Sequence, residues 1–166
     1  MRERKMEKSK EKISKALIIG IKNEIRVIEL YSQYVKRDAS SESKKEVKNL
    51  IRDEERHTRL LKNAFEKSLN KKLNTSKIKD DSLKAVEIVK NDPSYLHIID
   101  IAIGYEKREK AHFEKSEKEI NDKELKELFN TLAKEEQGHI DVLEHERKAA
   151  LGQPFDEYEL DLYVRE

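Results

Sequence analysis

The sequence predicts an all-α protein: a four-helix bundle in which one long crossover joins two helical hairpins. Apolar residues recur with a helical period in four long segments, although charged residues make up 43% of the chain. Only 4 Gly and 2 Pro occur among the 166 residues, so little interrupts these segments. This mixture is typical of long amphipathic helices that pack around a shared core. The connections between the segments then determine which helices run antiparallel.

Residues 12–69 are predicted to form the first helical hairpin. Its helices run from about residue 12 to 37 and from about residue 43 to 69, and the segment "DASSE" joins them. A connection this short forces the two helices to pack antiparallel. The basic stretch "MRERKMEKSKEKISK" at the start is interpreted as a solvated tail or an extension of the first helix.

Residues 93–148 are predicted to form the second hairpin. Its first helix begins near Pro93, a favoured first-turn residue, and its second follows Asp122 and ends before Gly152. Residues 70–92 form the crossover, which is long enough to bridge a helix of about 39 Å. The second and third helices can therefore run parallel, and "SLKAVEIVK" within the crossover predicts a short helix of its own.

Residues 1–166 are predicted to form one domain. The tail, residues 149–166, carries apolar side chains that need a surface to pack against. Isologous pairing in a homodimer would bury them, so a homodimer is expected. The crossover is the only covalent link between the hairpins. The dimer could therefore also be domain-swapped, with each chain completing the bundle of the other.

The composition excludes several classes of function. The chain contains no Cys, which rules out disulfides, thiolate-bound zinc, iron–sulfur clusters and thiol catalysis. A net charge of +1 creates no global field for nucleic acid or an anionic membrane, so we expect neither as a partner. No apolar run reaches the ~18 residues of a membrane span, and no apolar signal core occurs near the start. A cytoplasmic protein is predicted.

Two Glu-x-x-His motifs interrupt the apolar stripes of the second and fourth helices. Glu54 and His57 form the first motif, and Glu136 and His139 form the second. Residues three positions apart lie on the same helix face, so each motif can aim both side chains at one point in the core. A buried carboxylate without a partner costs several kcal/mol, and something must therefore compensate these charges.

A single glutamate on each of the other two helices completes the pattern. Glu24 precedes Glu54 by 30 residues, and Glu106 precedes Glu136 by 30 residues. One offset of 82 residues relates the two halves, so the chain reads as two copies of one hairpin. Four carboxylates and two imidazoles at matched depth predict a site for two divalent cations, which would neutralise them. The alternative is a set of polar residues that merely satisfy one another.

The remaining histidines are predicted to be structural or to lie at the surface. His97, His112 and His145 have no histidine or glutamate counterpart at the same offset. Glu109 and His112 form a third Glu-x-x-His motif, but its counterparts in the first half are apolar. We interpret this third spacing as chance.

With this ligand pattern, the chain resembles the ferritin-like di-iron carboxylate proteins, and specifically the rubrerythrin family in its short form. The resemblance covers about residues 12–148 and implies a ferritin-like bundle that holds two iron ions. Manganese or a mixed-metal pair remains an alternative. The resemblance implies metal-binding roles for six residues of the repeat: terminal carboxylates at Glu24 and Glu106, bridging carboxylates at Glu54 and Glu136, and nitrogen ligands at His57 and His139.

Two further positions match the rubrerythrin family. Its members carry a second glutamate three residues after the first one on the third helix, where Glu109 lies. They also carry a tyrosine that hydrogen-bonds near the metals, where Tyr31 lies. The resemblance implies that both residues contribute to catalysis, with Glu109 as a further ligand that exchanges with His57 at one iron. Phe113, the repeat counterpart of Tyr31, departs from the pattern if a second phenol is expected.

The function implied by this resemblance is a di-iron peroxidase of oxidative-stress defence, which reduces hydrogen peroxide to water. Rubrerythrins often end in an iron domain held by four cysteines, which this chain lacks. The electrons would therefore come from an external donor such as a rubredoxin-type protein. The alternatives are a ferroxidase or other iron-handling protein, a ferritin-like oxygen-activating hydroxylase, and a bundle without catalytic function.

Overall fold

A computed structural model describes residues 2–36, 41–78 and 95–152, apart from the side chains of residue 2 and residues 41–43. Within these ranges the chain is almost entirely α-helical and contains no strand, which confirms the predicted all-α class. One short 3-10 turn at Thr75–Lys77 follows the second helix. The four helices are α1 (Arg2–Val35), α2 (Ser41–Leu69), α3 (Tyr95–Glu119) and α4 (Lys123–Ala150).

The helices form two antiparallel hairpins, α1 with α2 and α3 with α4, which pack on each other through α1 and α3. The first apolar cluster fills one end of the bundle, and the second fills the other. The first includes Leu30, Leu50, Ile99 and Leu143; the second includes Leu17, Leu61, Phe113 and Leu132.

The positions of these clusters also give the direction of each helix. Both α2 and α3 run from the first apolar cluster towards the second, so they are parallel. The end of α2 and the start of α3 therefore lie at opposite ends of the bundle, separated by about the length of α2, which has 29 residues and spans about 43 Å. This is the predicted bundle with one long crossover. None of the helices in the described ranges has the length and apolar character that crossing a bilayer requires.

Helix α1 begins at Arg2 and not near residue 12. The additional turns consist mostly of Glu, Lys and Arg, all good helix formers, and no Gly or Pro interrupts them. The side chains of residues 3–12 are exposed, including that of Met6. Of the two interpretations offered by the sequence, the helix extension is therefore the one that the structure adopts.

The predicted boundaries of α4 coincide with local hydrogen bonds. The Asp122 carboxylate accepts a hydrogen bond from the backbone N–H of Leu125 at 3.0 Å and so caps the start of the helix. Gly152 follows its end with a φ of 65°, a conformation that favours glycine. Pro93, the predicted crossover helix "SLKAVEIVK" and the apolar part of the tail lie outside the described residues.

Candidate metal centre

Seven polar side chains are buried in one layer between the two apolar clusters. We call them the carboxylate–histidine cluster. All are 0% exposed except Glu109, at 2%, and His139, at 6%. Every helix contributes to the layer, because the motif residues lie one turn apart on faces that point into the bundle. The members are Glu24 from α1, Glu54 and His57 from α2, Glu106 and Glu109 from α3, and Glu136 and His139 from α4.

The ligand atoms of six of these residues fall into two groups, each with three carboxylates and one imidazole. Within each group the atoms lie within 4.8 Å of one another. Two carboxylates belong to both groups, so two ions held there would be neighbours that share two bridging residues. Glu24, Glu54, His57 and Glu136 form the first group, and Glu54, Glu106, Glu136 and His139 form the second.

The spacing of these atoms fits a divalent cation. Nδ1 of His57 lies 3.0 Å from Oε2 of Glu54 and 3.0 Å from Oε1 of Glu136. Nitrogen and oxygen ligands bind transition metals at about 2.0–2.2 Å, so two ligands at a right angle on one ion lie about 3 Å apart. Nδ1 of His139 is similarly placed, 2.8 Å from Oε1 of Glu54.

Several polar atoms of the cluster lack a hydrogen-bond partner among the described residues. They include both carboxylate oxygens of Glu24, both oxygens of Glu54 and Nδ1 of His57. Their contacts are short but not aligned as hydrogen bonds. Buried polar groups are almost always paired, and a shared cation is the partner that would satisfy this set. The donor set therefore fits the metal ions implied by the sequence.

Burial and mutual repulsion make the cluster bind positive charge strongly. Burial raises the pKa of Glu24, Glu106 and Glu109, and the neighbouring carboxylates raise it further. Burial acts in the same direction on Glu54 and Glu136, but the adjacent imidazoles outweigh it and lower the pKa of both. The layer therefore shares protons when it holds no other cation, and a metal ion would displace them.

The two imidazoles respond to the same charges. Burial disfavours the imidazolium of His57, but Glu136 and Glu54 beside it raise its pKa to about 10. Burial likewise opposes the charge of His139, and the surrounding carboxylates still raise its pKa, with Asp53 the largest contributor. Both rings therefore lie in a negative electrostatic potential, which favours a bound proton or metal ion.

Two carboxylates outside the buried layer contact Nε2 of the two imidazoles, the ring nitrogen that points away from the cluster. Glu135 on α4 lies 2.6 Å from Nε2 of His57, and Asp53 on α2 lies 3.5 Å from Nε2 of His139. Each contact leaves Nδ1 facing the cluster, the usual outer support of a metal-binding histidine. The 82-residue offset relates Asp53 to Glu135, and each directly precedes a buried glutamate. The repeat therefore carried a signal for them that our sequence reasoning missed.

Of the two residues to which the resemblance assigns a catalytic role, Tyr31 lies beside the cluster and Glu109 is a member of it. The hydroxyl of Tyr31 donates a hydrogen bond to a carboxylate oxygen of Glu106, and the tyrosine is buried. Burial and Glu106 raise the pKa of Tyr31, so it stays a protonated phenol. Glu109 lies outside both groups of four. Burial raises the pKa of Glu109, and the neighbouring carboxylates of Glu24 and Glu106 raise it further.

The remaining candidates lie away from the cluster. His112 is half-buried, and its Nε2 lies 2.9 Å from the carbonyl oxygen of Ala16, which ties α3 to α1. His97 and His145 are partly buried and belong to neither ligand group. Phe113 is buried in the second apolar cluster, where it stacks on Phe129 with ring centroids 6.0 Å apart. It offers no polar group to the metal positions.

Comparison with known protein families agrees with this arrangement. The family model described as Rubrerythrin matches residues 15–146, which include all seven members of the cluster and all four helices in whole or in large part. The comparisons with curated proteins and with solved structures gave no match. With its all-α ferritin-like bundle and a buried layer able to hold metal, the chain belongs to the rubrerythrin family.

Proposed function

We propose that this protein is a di-iron peroxidase that reduces hydrogen peroxide to water. The observation that carries the proposal is the pair of ligand groups that share Glu54 and Glu136, with Glu109 as a further carboxylate in the same layer. Carboxylate-rich ligand sets suit iron or manganese, and anionic oxygen ligands favour the ferric state. Two adjacent ferrous ions would supply the two electrons that break the O–O bond, while two protons complete two water molecules.

The residues around the layer support this chemistry. The apolar clusters on both sides exclude bulk water from the reacting centre. Tyr31 keeps a proton on its hydroxyl oxygen and directs it at Glu106, so a proton donor lies beside the ligands. Glu135 and Asp53 fix the orientation of the two imidazoles.

Glu109 makes the two halves of the site different, and this asymmetry supports a peroxidase over a ferroxidase with two equivalent halves. Its repeat counterpart is Val27, which packs in the first apolar cluster. The two halves of the site therefore differ by one carboxylate, and Glu109 has one buried oxygen without a hydrogen-bond partner among the described residues. An additional carboxylate in one half only would give the two metal positions different surroundings. Exchange of Glu109 with His57 at one iron is part of this proposal.

We also propose the partners that the reaction requires. The chain contains no Cys, so it has no iron–sulfur centre of its own, and an external electron donor such as a rubredoxin-type protein would reduce it. One chain supplies both ligand groups, so a swapped dimer is not needed to complete them. A homodimer that covers the apolar residues of the tail, in the cytoplasm, is the state that we propose.

Anaerobic stopped-flow oxidation of the diferrous protein tests the proposed activity. Hydrogen peroxide is expected to oxidise the wild-type protein at least tenfold faster than dioxygen at equal concentration. Glu109→Val, which installs the residue of the other half, should slow the peroxide reaction by about tenfold or more and leave the dioxygen reaction less affected. Glu144→Gln, at an exposed position on α4, is the control and should match the wild type. Faster oxidation by dioxygen than by peroxide would contradict the proposal.

A further inference from the structure

His139 is the most exposed member of the buried carboxylate–histidine cluster. It is 6% exposed, whereas its counterpart His57 is 0% exposed. A groove of about 450 Å³ lies against it, between α2 and α4. Asn49 and Asp53 form part of the α2 wall, and Gly138 forms part of the α4 wall. We call it the His139 groove.

The repeat offers a reason for the difference in exposure between the two imidazoles. The counterpart of Gly138 at the 82-residue offset is Arg56. The Arg56 guanidinium lies 2.7 Å from Glu135, the carboxylate that contacts Nε2 of His57, so it lies over that side of the bundle. A Cβ atom at Gly138 would meet no other atom within 4 Å, so this position leaves open space over His139.

The two imidazoles also differ in the charges beside them. Arg56 places a permanent cation beside His57. The His139 groove is lined instead by three acidic residues, Glu46, Asp53 and Asp141. Asp53 lies 3.5 Å from Nε2 of His139, so one of these acids contacts a member of the carboxylate–histidine cluster directly. A groove lined by carboxylates attracts cations. The Arg56 guanidinium lies 2.7 Å from Glu135 and 3.7 Å from Asp53, so its positive charge is closest to the carboxylate that contacts His57.

We propose that the His139 groove is the port through which divalent metal ions enter and leave the metal centre. Gly138, where the other half has Arg56, leaves open space beside His139, and the acidic lining concentrates cations next to this ligand. The inference rests on the proposed function only in requiring that the cluster hold metal. Because a port changes the rates of passage and not the bound state, closing it should slow association and dissociation by the same factor.

Stopped-flow binding of Co²⁺ to the metal-stripped protein tests the port. Gly138→Gln fills the groove with a neutral side chain and does not weaken the helix, because Gln is the better helix former. Both rate constants are expected to fall at least fivefold, with the equilibrium affinity unchanged within twofold. Gly104→Gln is the matched control: it also lies on a helix, a Cβ atom there meets nothing within 4 Å, and it does not line the groove. Its rates should equal those of the wild type.

A second variant narrows the groove at a different residue, so that a folding defect in Gly138→Gln alone cannot decide the result. Asn49→Trp narrows the groove from the exposed face of α2 and should slow both rates in the same way. Wild-type rates in both groove variants would overturn the port. So would slower association with unchanged dissociation, which indicates a weakened site and not a closed route. Binding of fewer than two Co²⁺ ions by the wild type would overturn the metal centre itself and the port with it.

Discussion

Glu135 and Asp53 occupy equivalent positions in the two halves, yet their contacts differ. Glu135 lies 2.6 Å from the imidazole of His57 and 2.7 Å from the guanidinium of Arg56, so it is held from two sides. Asp53 lies 3.5 Å from the imidazole of His139 and 3.7 Å from Arg56. The closer contact should orient its histidine more firmly. The two metal positions therefore differ in their outer support as well as in their ligands.

This difference in distance predicts which of two substitutions, at Glu135 or at Asp53, weakens metal binding more. Glu135→Gln removes the charge that supports His57, and it should weaken binding at one of the two metal positions by about tenfold. Asp53→Asn should weaken binding less, because its contact with His139 is longer. Isothermal titration with Co²⁺ measures both variants against Glu144→Gln, the same chemical change on an exposed residue of α4. A larger loss in Asp53→Asn than in Glu135→Gln would contradict the assignment.

The cluster residues could be predicted because polar side chains within an apolar helical stripe are unexpected. A glutamate within an apolar stripe, such as Glu54, is an anomaly that needs compensation, and its recurrence at one offset turned the anomaly into a pattern. Asp53 and Glu135 are 46% and 32% exposed, and they look like ordinary surface acids in a chain with 35 Asp and Glu residues. Only the packing of α2 beside α4 reveals which imidazole each one contacts.

For the helices, the spacing of apolar residues predicted which turns face the core but not where each helix begins. Helix α1 continues back to Arg2 because helix formation needs no apolar face once a helix has started, and its first turns are good helix formers. The periodic signal begins near Ile13, where α1 starts to pack on the second apolar cluster. A search for periodicity therefore misses an extension that packs against nothing.

The contrast between Arg56 and Gly138 also belongs to the helices. In sequence, a glycine inside a helix indicates only a modest cost in helix propensity. Its meaning depends on the groove between α2 and α4, which appears once the two hairpins are packed together. The duplication indicates this pair in the sequence, because the position that is arginine in the first motif is glycine in the second, which is among the largest differences between the two motifs.

For the whole molecule, the bundle is a scaffold that holds charge where it would otherwise be unstable. The two apolar clusters provide the hydrophobic stabilisation, and the carboxylate–histidine cluster lies between them. The same burial that excludes water makes the carboxylates costly unless protons or metal ions neutralise them. Stability and metal binding should therefore be coupled, and both should depend on pH.

Thermal unfolding of the metal-stripped protein is expected to depend on pH in a particular direction. The raised pKa values of Glu24, Glu106 and Glu109, and that of His57 at about 10, mean that the folded protein binds more protons than the unfolded chain above pH 4.5. Stability then falls as the pH rises towards 10. We expect Tm to decrease by roughly 5 °C or more between pH 5 and pH 9, at about 2–4 °C per kcal/mol.

The metal-loaded protein provides the comparison. Bound metal ions replace the protons of the cluster, so its Tm should not fall over the same range, because metal affinity rises as its ligands lose protons. Calorimetric scans of both forms in the same buffers measure this. Parallel pH dependence in the two forms would show that the cluster does not exchange protons for metal.

The carboxylate–histidine cluster is expected to hold two metal ions per chain. Elemental analysis after anaerobic reconstitution with ferrous iron and removal of loosely bound metal measures this number. The two-metal assignment predicts two irons per chain in the wild type and in Glu144→Gln. It predicts a loss at both positions in Glu54→Ala, because Glu54 belongs to both ligand groups. One iron or none in the wild type, or two irons retained in Glu54→Ala, would contradict it.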